Sequence, residues 1–403
     1  MLSAEEQLHI IASGVDTIVP EADLLKKLKR GTPLNIKLGV DPTAPDIHIG
    51  HAVPLRKLRQ FQDLGHKVTL IIGDGTALIG DPSGRNSTRP QLTREQIEEN
   101  AQTYVDQAFK ILDKDKTDLV HNADWILDLK MEDILSLLSR FTVARILERD
   151  DFSNRYKNNH PISLHEFIYP VMQAYDSVVI KADVELGGRD QLFNLLAGRE
   201  LMEKMGMEPQ VALTLPLLEG TDGVQKMSKS YGNYIGLTDE PSDMFGKVMS
   251  IPDELMVKYF RLASTMPVSE VDEIERGLAN DELHPNKVKR ALARNIVAAY
   301  YDEPTAEQAE GQFDLVFKNH ETPDDVPEYK ADLTPNDEGL VYVAKLIADA
   351  GLVSSAGEAR RLIDGGGVKV NGEALEPKQY NVAPGALAGA TVQVGKRRFV
   401  KLV

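Results

Sequence analysis

The chain contains no cysteine, and this absence excludes several kinds of site. Disulfide bonds, thiolate nucleophiles and most zinc sites all need cysteine. The nine histidines also lack the His-Glu-x-x-His spacing of a zinc hydrolase. Because a cysteine-free sequence is typical of a reducing compartment, we expect a cytoplasmic protein whose chemistry uses neither thiols nor a tightly held metal.

Long apolar runs are missing as well. No segment approaches the roughly 20 residues that cross a membrane as a helix. Residues 1–6 lack the basic region that opens a secretion signal. We therefore expect no export and no membrane partner. With 403 residues, of which 42% are hydrophobic, the chain is long enough for two or three domains with buried cores.

Acidic residues outnumber basic ones, which gives a formal net charge of -16. An excess of this size argues against wrapping a nucleic acid with the whole surface. The C-terminal stretch differs, because residues 338–403 hold nine Lys or Arg against six Asp or Glu. We expect a polyanionic partner to bind this stretch or smaller local patches.

Two short motifs, far apart in the chain, carry the strongest chemical signal. The first is a His-x-Gly-His motif from His48 to His51. If it opens a helix, its imidazoles share one face, where exposed amide groups and the helix dipole favour an anion. The second is a Lys-Met-Ser-Lys-Ser motif from Lys226 to Ser230, in a stretch rich in glycine and serine. Together they predict a two-part triphosphate site in which alignment and charge neutralisation provide most of the catalysis.

A strand, a helix and a second strand surround the first motif. Alternating polarity predicts a strand at Leu34 to Val40, followed by a helix from about Gly50 to Leu64 and a strand at Val68 to Ile72. Further strands are expected at Ser177 to Leu186 and at Val211 to Leu218. The pattern predicts an α/β fold with a doubly wound parallel sheet. Because each chemically suggestive segment follows a strand end, we expect a single ligand crevice at the carboxyl ends of the strands.

The remaining chain predicts two further domains. Residues 239–322 have a helical composition, and an acidic stretch with several prolines at 323–337 is typical of a linker. Residues 338–403 predict a small α+β domain that follows the first domain, 1–238, and the helical one. In it we expect a helix at Leu340 to Ala350, a second helix opened by a capping box of Ser355 and Glu358, and a hairpin that turns at Asn371 and Gly372.

These features resemble the class I aminoacyl-tRNA synthetases, and specifically the bacterial tyrosyl-tRNA synthetases, over nearly the whole chain. Residues 42–51 and 226–230 match the two class signatures. Residues 169–176 resemble the tyrosine-specificity element, and 187–191 the element for the ribose and carboxylate. From about residue 340 the chain resembles an S-four-type RNA-binding domain. The resemblance implies a Rossmann-like catalytic domain that makes tyrosyl-adenylate from tyrosine and ATP, releases pyrophosphate and transfers tyrosine to the terminal adenosine of tRNA(Tyr).

The resemblance also implies roles for individual residues. Asp176 would accept the phenolic proton of tyrosine in a charge-assisted hydrogen bond that phenylalanine cannot make. The implied tyrosine-binding residues are Lys37, Thr76, Asp81, Tyr169, Gln173, Asp176 and Gln191. The implied ATP-binding residues are Gly39, Asp41, Thr43, His48, Gly50, His51, Gly188, Asp190, Lys226, Met227, Ser228 and Lys229, of which His48, His51, Lys226 and Lys229 would be catalytic. Magnesium would enter with ATP, since no carboxylate cage is evident.

Family likeness further implies a homodimer, with the tRNA crossing between subunits. The implied tRNA-binding residues are Arg85, Arg89, Arg360, Arg361, Lys369, Lys396, Arg397 and Arg398. Two positions depart from the family pattern. Lys37 stands where many members have tyrosine, and Arg189 where a small Ser or Thr is common. We expect Lys37 to pair with Asp176, or with a water in the pocket, and to help keep that carboxylate ionised.

Three other functions stay open. A tryptophanyl relative would share the fold, although the basic tail and Asp176 disfavour it. A small nucleotidyltransferase would account for the His-x-Gly-His motif alone. An RNA-binding paralogue without catalysis would keep the tail but would not need intact histidines and lysines. Tyrosine-dependent exchange of pyrophosphate into ATP distinguishes the enzyme from the binder.

Overall fold

The structure is a computed structural model that describes residues 2–42, 48–82, 93–317, 326–336, 339–395 and 398–403. It divides into two compact units, Met1–Ala306 and Glu307–Val403. The finer division of the chain at residues 238, 322 and 337 stays a prediction. Among the described residues, no helix is long and apolar enough to cross a membrane.

The first unit is built on a six-stranded sheet. Its strands are β1 (Thr17–Val19), β2 (Asn35–Val40), β3 (Lys67–Ile72), β4 (Thr117–His121), β5 (Val184–Gly188) and β6 (Val211–Leu215). They lie in the order β1-β6-β5-β2-β3-β4, and only β1, at one edge, runs antiparallel to its neighbour. The predicted α/β fold with a parallel sheet is therefore confirmed. The sequence patterns missed both edge strands, β1 and β4.

Helices surround this sheet and extend beyond it. They are α1 (Ala4–Ala12), α2 (Glu21–Leu28), α3 (Ile49–Asp63), α4 (Asp74–Ala77), α5 (Arg94–Ala108), α6 (Ala123–Ile126), α7 (Met131–Leu138), α8 (Val143–Ile146), α9 (Asp150–Lys157), α10 (Tyr169–Val179), α11 (Leu192–Lys204), α12 (Pro241–Met249), α13 (Met256–Ala263), α14 (Val268–Ala279), α15 (Pro285–Tyr300) and α16 (Glu303–Phe317). Short 3-10 helices lie at Lys114–Lys116, Leu164–Phe167, Arg189–Gln191, Lys229–Tyr231 and Asp253–Leu255. Strands β3, β5 and β6 are almost wholly buried, as expected for a parallel sheet covered on both faces.

Two of the predicted strands were wrong in extent. Residues 177–179 continue helix α10, and β5 begins only at Val184. A short apolar run fits a buried helix as well as a buried strand, so periodicity alone did not separate them. Strand β6 ends at Leu215 rather than at Leu218, because Pro216 follows and has no N–H to donate to a neighbouring strand.

The second unit contains a small α+β domain. Helices α17 (Val343–Asp349), α18 (Ala356–Asp364) and α19 (Pro384–Leu387) accompany β7 (Glu328–Tyr329), β8 (Val341–Tyr342), β9 (Val368–Val370), β10 (Glu373–Ala374), β11 (Asn381–Val382), β12 (Thr391–Val394) and β13 (Arg398–Leu402). Five strands form a sheet in the order β10-β9-β12-β13-β7, and β8 pairs with β11. Side chains of α17, α18 and the larger sheet share one hydrophobic core.

The local signals in this unit were partly right. Asn371 and Gly372 turn the β9–β10 hairpin with φ values of 49° and 86°, as predicted. The predicted helix at Leu340 begins late, because Val341 and Tyr342 pair with β11. The capping box is half formed. The Ser355 hydroxyl accepts from the Glu358 amide, but the Glu358 carboxylate accepts from Ser354 instead.

Candidate active site

A buried carboxylate on α10 forms the centre of the first half of the site. The Asp176 side chain accepts hydrogen bonds from Trp125 Nε1 at 2.9 Å and from Asn122 Nδ2 at 3.2 Å. Burial raises the pKa of Asp176 to about 6, while the Lys37 charge and these two hydrogen bonds oppose the rise. The carboxylate is therefore mostly ionised at neutral pH, and it keeps lone pairs for a hydroxyl donor.

A chain of hydrogen bonds joins Asp176 to the ends of β2 and β3. Asn122 Nδ2 donates to Thr76 Oγ1 at 3.1 Å, and Thr76 Oγ1 donates to Asp41 Oδ1 at 2.8 Å. The hydroxyl of Tyr169 donates to Asp41 Oδ2 at 2.9 Å. Burial, followed by the nearby Asp41 charge, raises the pKa of Tyr169 well above its ordinary value, so its phenol stays a hydrogen-bond donor. Four of the predicted residues thus lie together.

A second chain connects the other predicted tyrosine-binding residues. Asn194 Nδ2 donates to Gln173 Oε1 at 2.9 Å, and Arg149 Nη1 donates to Asn194 Oδ1 at 3.0 Å. Arg149 Nη2 also reaches Asp81 Oδ1 at 3.4 Å. On the other carboxylate oxygen, Gln191 Nε2 donates to Asp81 Oδ2 at 3.3 Å. The structure therefore places Asp81, Gln173 and Gln191 in one network.

Lys37 does not contact Asp176, so the predicted pairing was wrong. Its Nζ donates to Glu185 Oε1 at 2.9 Å, to Ser177 Oγ at 2.8 Å and to the Gln173 carbonyl at 2.9 Å. Lys37 and Glu185 are direct register partners on β2 and β5. The neighbouring strand thus supplies the carboxylate that binds the ammonium. The charge of Lys37 still lowers the pKa of Asp176, as expected.

The histidine motif begins α3 and forms the second half of the site. His48 is the N-cap residue, and its ring stacks on that of His51 with centroids 3.8 Å apart and planes 17° apart. Burial, then the charges of His51 and Lys229, lower the pKa of His48 to about 3. The ring of His51 lies in a more open position, yet surrounding protein atoms and the charges of Lys229 and Lys226 lower its pKa as well. Both rings are therefore neutral near pH 7, and each offers one N–H donor.

A cavity of about 290 Å³ lies between the two motifs. Its lining residues are His48, Gly50, His51, Leu217, Leu218, Lys226, Met227, Ser228 and Lys229. Backbone pairing holds the motifs in place, because Ile49 N donates to Ile235 O at 2.9 Å and Met227 N donates to Leu218 O at 2.8 Å. Two imidazoles and two ammonium groups therefore face one space, in which a polyphosphate would be neutralised.

Asn233 anchors the lysine motif. Its Oδ1 accepts from the Ser228 amide at 2.8 Å. Its Nδ2 donates to Asp222 Oδ2 at 2.8 Å and to the Lys226 carbonyl at 3.3 Å. A Cβ at Gly220 would lie only 2.2 Å from the Asn233 side chain, so glycine leaves the room that this anchor needs.

The predicted ribose residues lie at the end of β5. The Gly188 amide donates to Gln191 Oε1 at 3.0 Å, and a Cβ at Gly188 would lie 2.5 Å from Asp190 Oδ1. Burial, then the Asp81 charge, raises the pKa of Asp190. At Gly39 on β2 a Cβ would meet no heavy atom within 4 Å, so space for a ligand is open beside that strand. Arg189 is 76% exposed and lies 3.5 Å from Asp16, which agrees with a surface position.

Four of the eight predicted tRNA-binding residues, Arg85, Arg89, Lys396 and Arg397, lie outside the described residues, and so does the predicted ATP-binding residue Thr43. The other four belong to the second unit. Arg360 and Arg361 are exposed on α18, and Lys369 is half-buried on β9. Arg398 is exposed at the start of β13 and donates to the Leu352 carbonyl.

Sequence reasoning missed five residues that hold the site together: Asn122, Trp125, Arg149, Glu185 and Asn194. Asn122 and Trp125 follow β4, so recognising that strand would have placed them at the same sheet edge. Glu185 was visible as one acidic residue inside an apolar strand. In the described parts of the chain, no group of three or more acidic, histidine or cysteine side chains is arranged to hold a metal ion. The expectation that magnesium enters with ATP stays a prediction.

Comparison with known proteins identifies the family. The family model for class I tRNA synthetases (W and Y) matches residues 29–318, and the S4 domain model matches residues 343–387. The tyrosine–tRNA ligase of Carboxydothermus hydrogenoformans is 51% identical and covers 99% of this chain and 98% of its own. That of Moorella thermoacetica is 52% identical and covers 98% of this chain and 95% of its own. The chain belongs to the bacterial tyrosyl-tRNA synthetases.

A solved structure agrees with this fold. The C-terminally truncated mitochondrial tyrosyl-tRNA synthetase of Aspergillus nidulans superposes with a TM-score of 0.65 at 23% identity, covering 79% of this chain and 95% of its own. The resemblance drawn from the motifs is confirmed. As a class I synthetase, the protein is a ligase that uses ATP. The family model alone covers tryptophanyl enzymes too, and the full-length relatives favour tyrosine.

We expect Asn233→Ala to loosen the lysine motif, because it removes the side chain that binds the Ser228 amide and the Lys226 carbonyl. Losing hydrogen bonds worth about 1 kcal/mol each should weaken ATP binding roughly 10-fold. Titration with ATP measures this, and hydrogen exchange at the Ser228 amide should accelerate. Asn286→Ala, on the exposed start of α15, is the matched control. Unchanged exchange at Ser228 would show that Asn233 is not the anchor.

Proposed function

We propose that this protein is a tyrosine–tRNA ligase that works in two steps. The tyrosine carboxylate attacks the α-phosphate of ATP, which forms tyrosyl-adenylate and releases pyrophosphate. A ribose hydroxyl of the terminal adenosine of tRNA(Tyr) then takes the tyrosyl group, and AMP leaves. The observation that carries this proposal is the cavity shared by the His-x-Gly-His and Lys-Met-Ser-Lys-Ser motifs. Full-length relatives near 50% identity are named as tyrosine–tRNA ligases, which supports it.

The first step needs almost no acid or base, because the substrate carboxylate is already a nucleophile. The protein's part is alignment and stabilisation of charge on the phosphates. His48 and His51 offer neutral N–H donors at the N-terminus of α3, where the helix dipole also favours an anion. Lys226 and Lys229, which line the same cavity, supply the positive charge.

Tyrosine would bind at the adjoining strand ends. Its phenolic hydroxyl donates to Asp176, and Asp81, Tyr169 and Gln173 surround its ammonium group. Thr76 lines the pocket, and Gln191 approaches the substrate carboxylate. Phenylalanine would leave Asp176 buried without its donor, and an unpaired buried charge is costly. The enzyme therefore discriminates against phenylalanine because phenylalanine leaves the Asp176 carboxylate without a hydrogen-bond donor.

The adenosine would lie along β2 and β5. Gly39, Gly188 and Asp190 would contact the nucleoside, and Asp41 and Thr43 the region of the phosphates. Magnesium enters bound to the ATP phosphates rather than to a protein cage. We place the enzyme in the cytoplasm, where a chain without cysteine needs no oxidising environment.

Tyrosine-dependent exchange of pyrophosphate into ATP tests the function directly. The protein should exchange with tyrosine and much more slowly with other amino acids. Asp176→Asn should lower the preference for tyrosine over phenylalanine by roughly 100-fold, because the charge-assisted hydrogen bond is lost. Asp150→Asn, at an exposed position of α9, is the control. Exchange without any amino-acid dependence contradicts the ligase, whereas an unchanged preference in Asp176→Asn removes only the role of that residue.

We also propose that exposed cations of the second unit bind tRNA(Tyr), together with Arg85, Arg89, Lys396 and Arg397. Arg360 and Arg361 lie side by side in sequence on α18 and are both exposed. Lys369 and Arg398 belong to the same small domain. The S4 domain model, which matches residues 343–387, supports an RNA-binding role. Contacts to phosphates release counterions, so they weaken as salt rises.

Replacing Arg360 and Arg361 by serine should therefore separate the two steps. We expect aminoacylation efficiency to fall roughly 10-fold at physiological salt, while pyrophosphate exchange stays unchanged. The slope of log tRNA affinity against log salt concentration should become shallower, by an amount that corresponds to about two fewer released counterions. Lys330→Ser removes an exposed cation that is not among the predicted tRNA residues. Equal loss in both variants would indicate a general charge effect rather than a binding surface.

A homodimer is supported by one apolar segment of the first unit. Residues 127–164 carry the exposed large hydrophobic side chains Leu127, Met131, Leu135, Val143, Tyr156 and Leu164. Such a concentration on a monomer surface is typical of an interface. A two-fold dimer would bury the same segment of both subunits.

Leu164→Asp is the sharpest test of the dimer. Leu164 is 82% exposed in the single chain, and the proposed interface would bury it. A charge in an apolar interface should raise the dimer dissociation constant by about 100-fold or more. Sedimentation velocity measures the change. Val224→Asp is the matched control, since Val224 is also 82% exposed but lies outside this segment. Monomers in both variants, or dimers in both, would contradict the proposed interface.

A further inference from the structure

A fully buried ion pair lies beneath the helix that carries Asp176. The side chains of Lys37 and Glu185 are 0% and 1% exposed, and their charged atoms are 2.9 Å apart. Buried ion pairs stabilise proteins weakly or not at all, because desolvation offsets the attraction between the charges. The pair lies on β2 and β5 and bonds to α10, the helix that carries Asp176. This position points to a role other than stability.

The pair is completely satisfied by hydrogen bonds. The three ammonium hydrogens of Lys37 go to Glu185, Ser177 and the Gln173 carbonyl. Glu185 also accepts from Gln173 Nε2 at 3.1 Å, from Ser177 Oγ at 2.8 Å and from Gln210 Nε2 at 2.8 Å. Because Lys37 has no hydrogen left to donate, it does not reach the phenolic oxygen of a bound tyrosine. It acts on the substrate through other groups.

The turn of α10 from Gln173 to Ser177 is the part that the pair holds. Both ends of this turn bind the pair, and Asp176 lies within it. A glycine on α11 keeps the space, since a Cβ at Gly198 would lie 2.4 Å from Gln210 Nε2 and 3.1 Å from Glu185 Oε2. The cluster therefore fixes the position of Asp176 relative to the sheet.

Charge is the second link between the pair and Asp176. The Lys37 charge lowers the pKa of Asp176 and the Glu185 charge raises it, with Lys37 the larger effect. The neutral donors Trp125 and Asn122 face the carboxylate from α6 and the loop before it. Tyr169, also on α10, is near enough for the Asp176 charge to contribute to the rise in its own pKa. Two further carboxylates, Asp41 and Asp81, lie around Tyr169.

We propose that Lys37 and Glu185 are positioning residues for tyrosine recognition: the pair holds the Gln173–Ser177 turn, and the unbalanced part of its charge keeps the Asp176 carboxylate available to the phenolic hydroxyl. This inference rests on the proposed function. It makes Glu185, rather than a pocket group, the necessary partner of Lys37.

Two variants should shift the pKa of Asp176 in opposite directions. Glu185→Gln keeps the shape of the cluster and removes the negative charge that raises the pKa of Asp176, so that pKa should fall. The double variant Lys37→Met with Glu185→Gln removes both charges, and the larger effect of Lys37 is lost, so the Asp176 pKa should rise. A neutral pair of similar volume is expected to fold, because it avoids burying an unpaired charge.

The measurement is kcat/KM for tyrosine in pyrophosphate exchange between pH 5 and pH 8. The intact enzyme should lose activity as pH falls through about 6, where Asp176 takes up a proton. We expect the acid limb to move down by about one pH unit in Glu185→Gln and up by about one unit in the double variant. The double variant should then lose about 10-fold in kcat/KM at pH 5, with the KM for ATP unchanged.

Lys27 and Asp183 provide a matched control. They form another ion pair at 2.9 Å, in which Lys27 is buried on α2 and Asp183 lies in the loop between α10 and β5. Lys27→Met with Asp183→Asn should alter thermal unfolding without moving the acid limb. If the acid limbs of the two variants move in the same direction, or do not move, the inference is wrong and the proposed ligase function is unaffected. If the intact protein shows no tyrosine-dependent exchange, the proposed function fails and the inference fails with it.

Discussion

Keeping a carboxylate ionised inside the first unit is the constraint on which the tyrosine half of the site depends. Burial alone raises the pKa of Asp176, and the protein opposes this with two neutral donors and one distant cation. A direct ion pair would hold the charge more strongly, but it would also occupy the oxygens that a substrate hydroxyl needs. The observed arrangement leaves the carboxylate mostly ionised at neutral pH, with lone pairs that a hydroxyl donor can still use.

In the proposed phosphate half of the site, the protein must limit positive charge rather than preserve a negative one. Four cationic or potentially cationic groups surround one cavity, and their mutual repulsion would be severe if all were charged. Burial and the lysine charges keep both imidazoles neutral, so the lysines alone carry positive charge. The histidines then act as donors of fixed direction rather than as ions. Attraction for a polyphosphate is retained, and the site avoids packing four like charges together.

The sequence was most informative where a strand end and a chemical motif coincide. Asp41 and Gly188 lie at the ends of β2 and β5, where the alternating and apolar patterns before them predicted strand ends, and their contacts with a ligand stay a prediction. Asn122 and Trp125 were missed because β4 is a short edge strand with only half-buried and exposed residues. Its sequence carries no clear periodicity, so its end could not be located.

The wrong partner for Lys37 has a different origin. Which residue lies opposite Lys37 depends on the register between β2 and β5, and Lys37 and Glu185 are 148 positions apart in sequence. Register of this kind is fixed by packing across the whole sheet rather than by local pattern. The lysine's buried position was likewise hidden, since alternation predicts one exposed face and a central parallel strand has none.

The distribution of charge also separates the two substrates. A net charge of -16 repels polyanions from most of the surface, while the lysine motif and the C-terminal stretch are basic exceptions. In the proposed ATP cavity the cations are few and line one space, so two ammonium groups would offset part of the charge of a triphosphate. On the second unit the cations are exposed, which suits phosphates that remain hydrated and must later be released. If the two sites bind as proposed, affinity for ATP depends mainly on geometry, whereas affinity for RNA depends more on ionic strength.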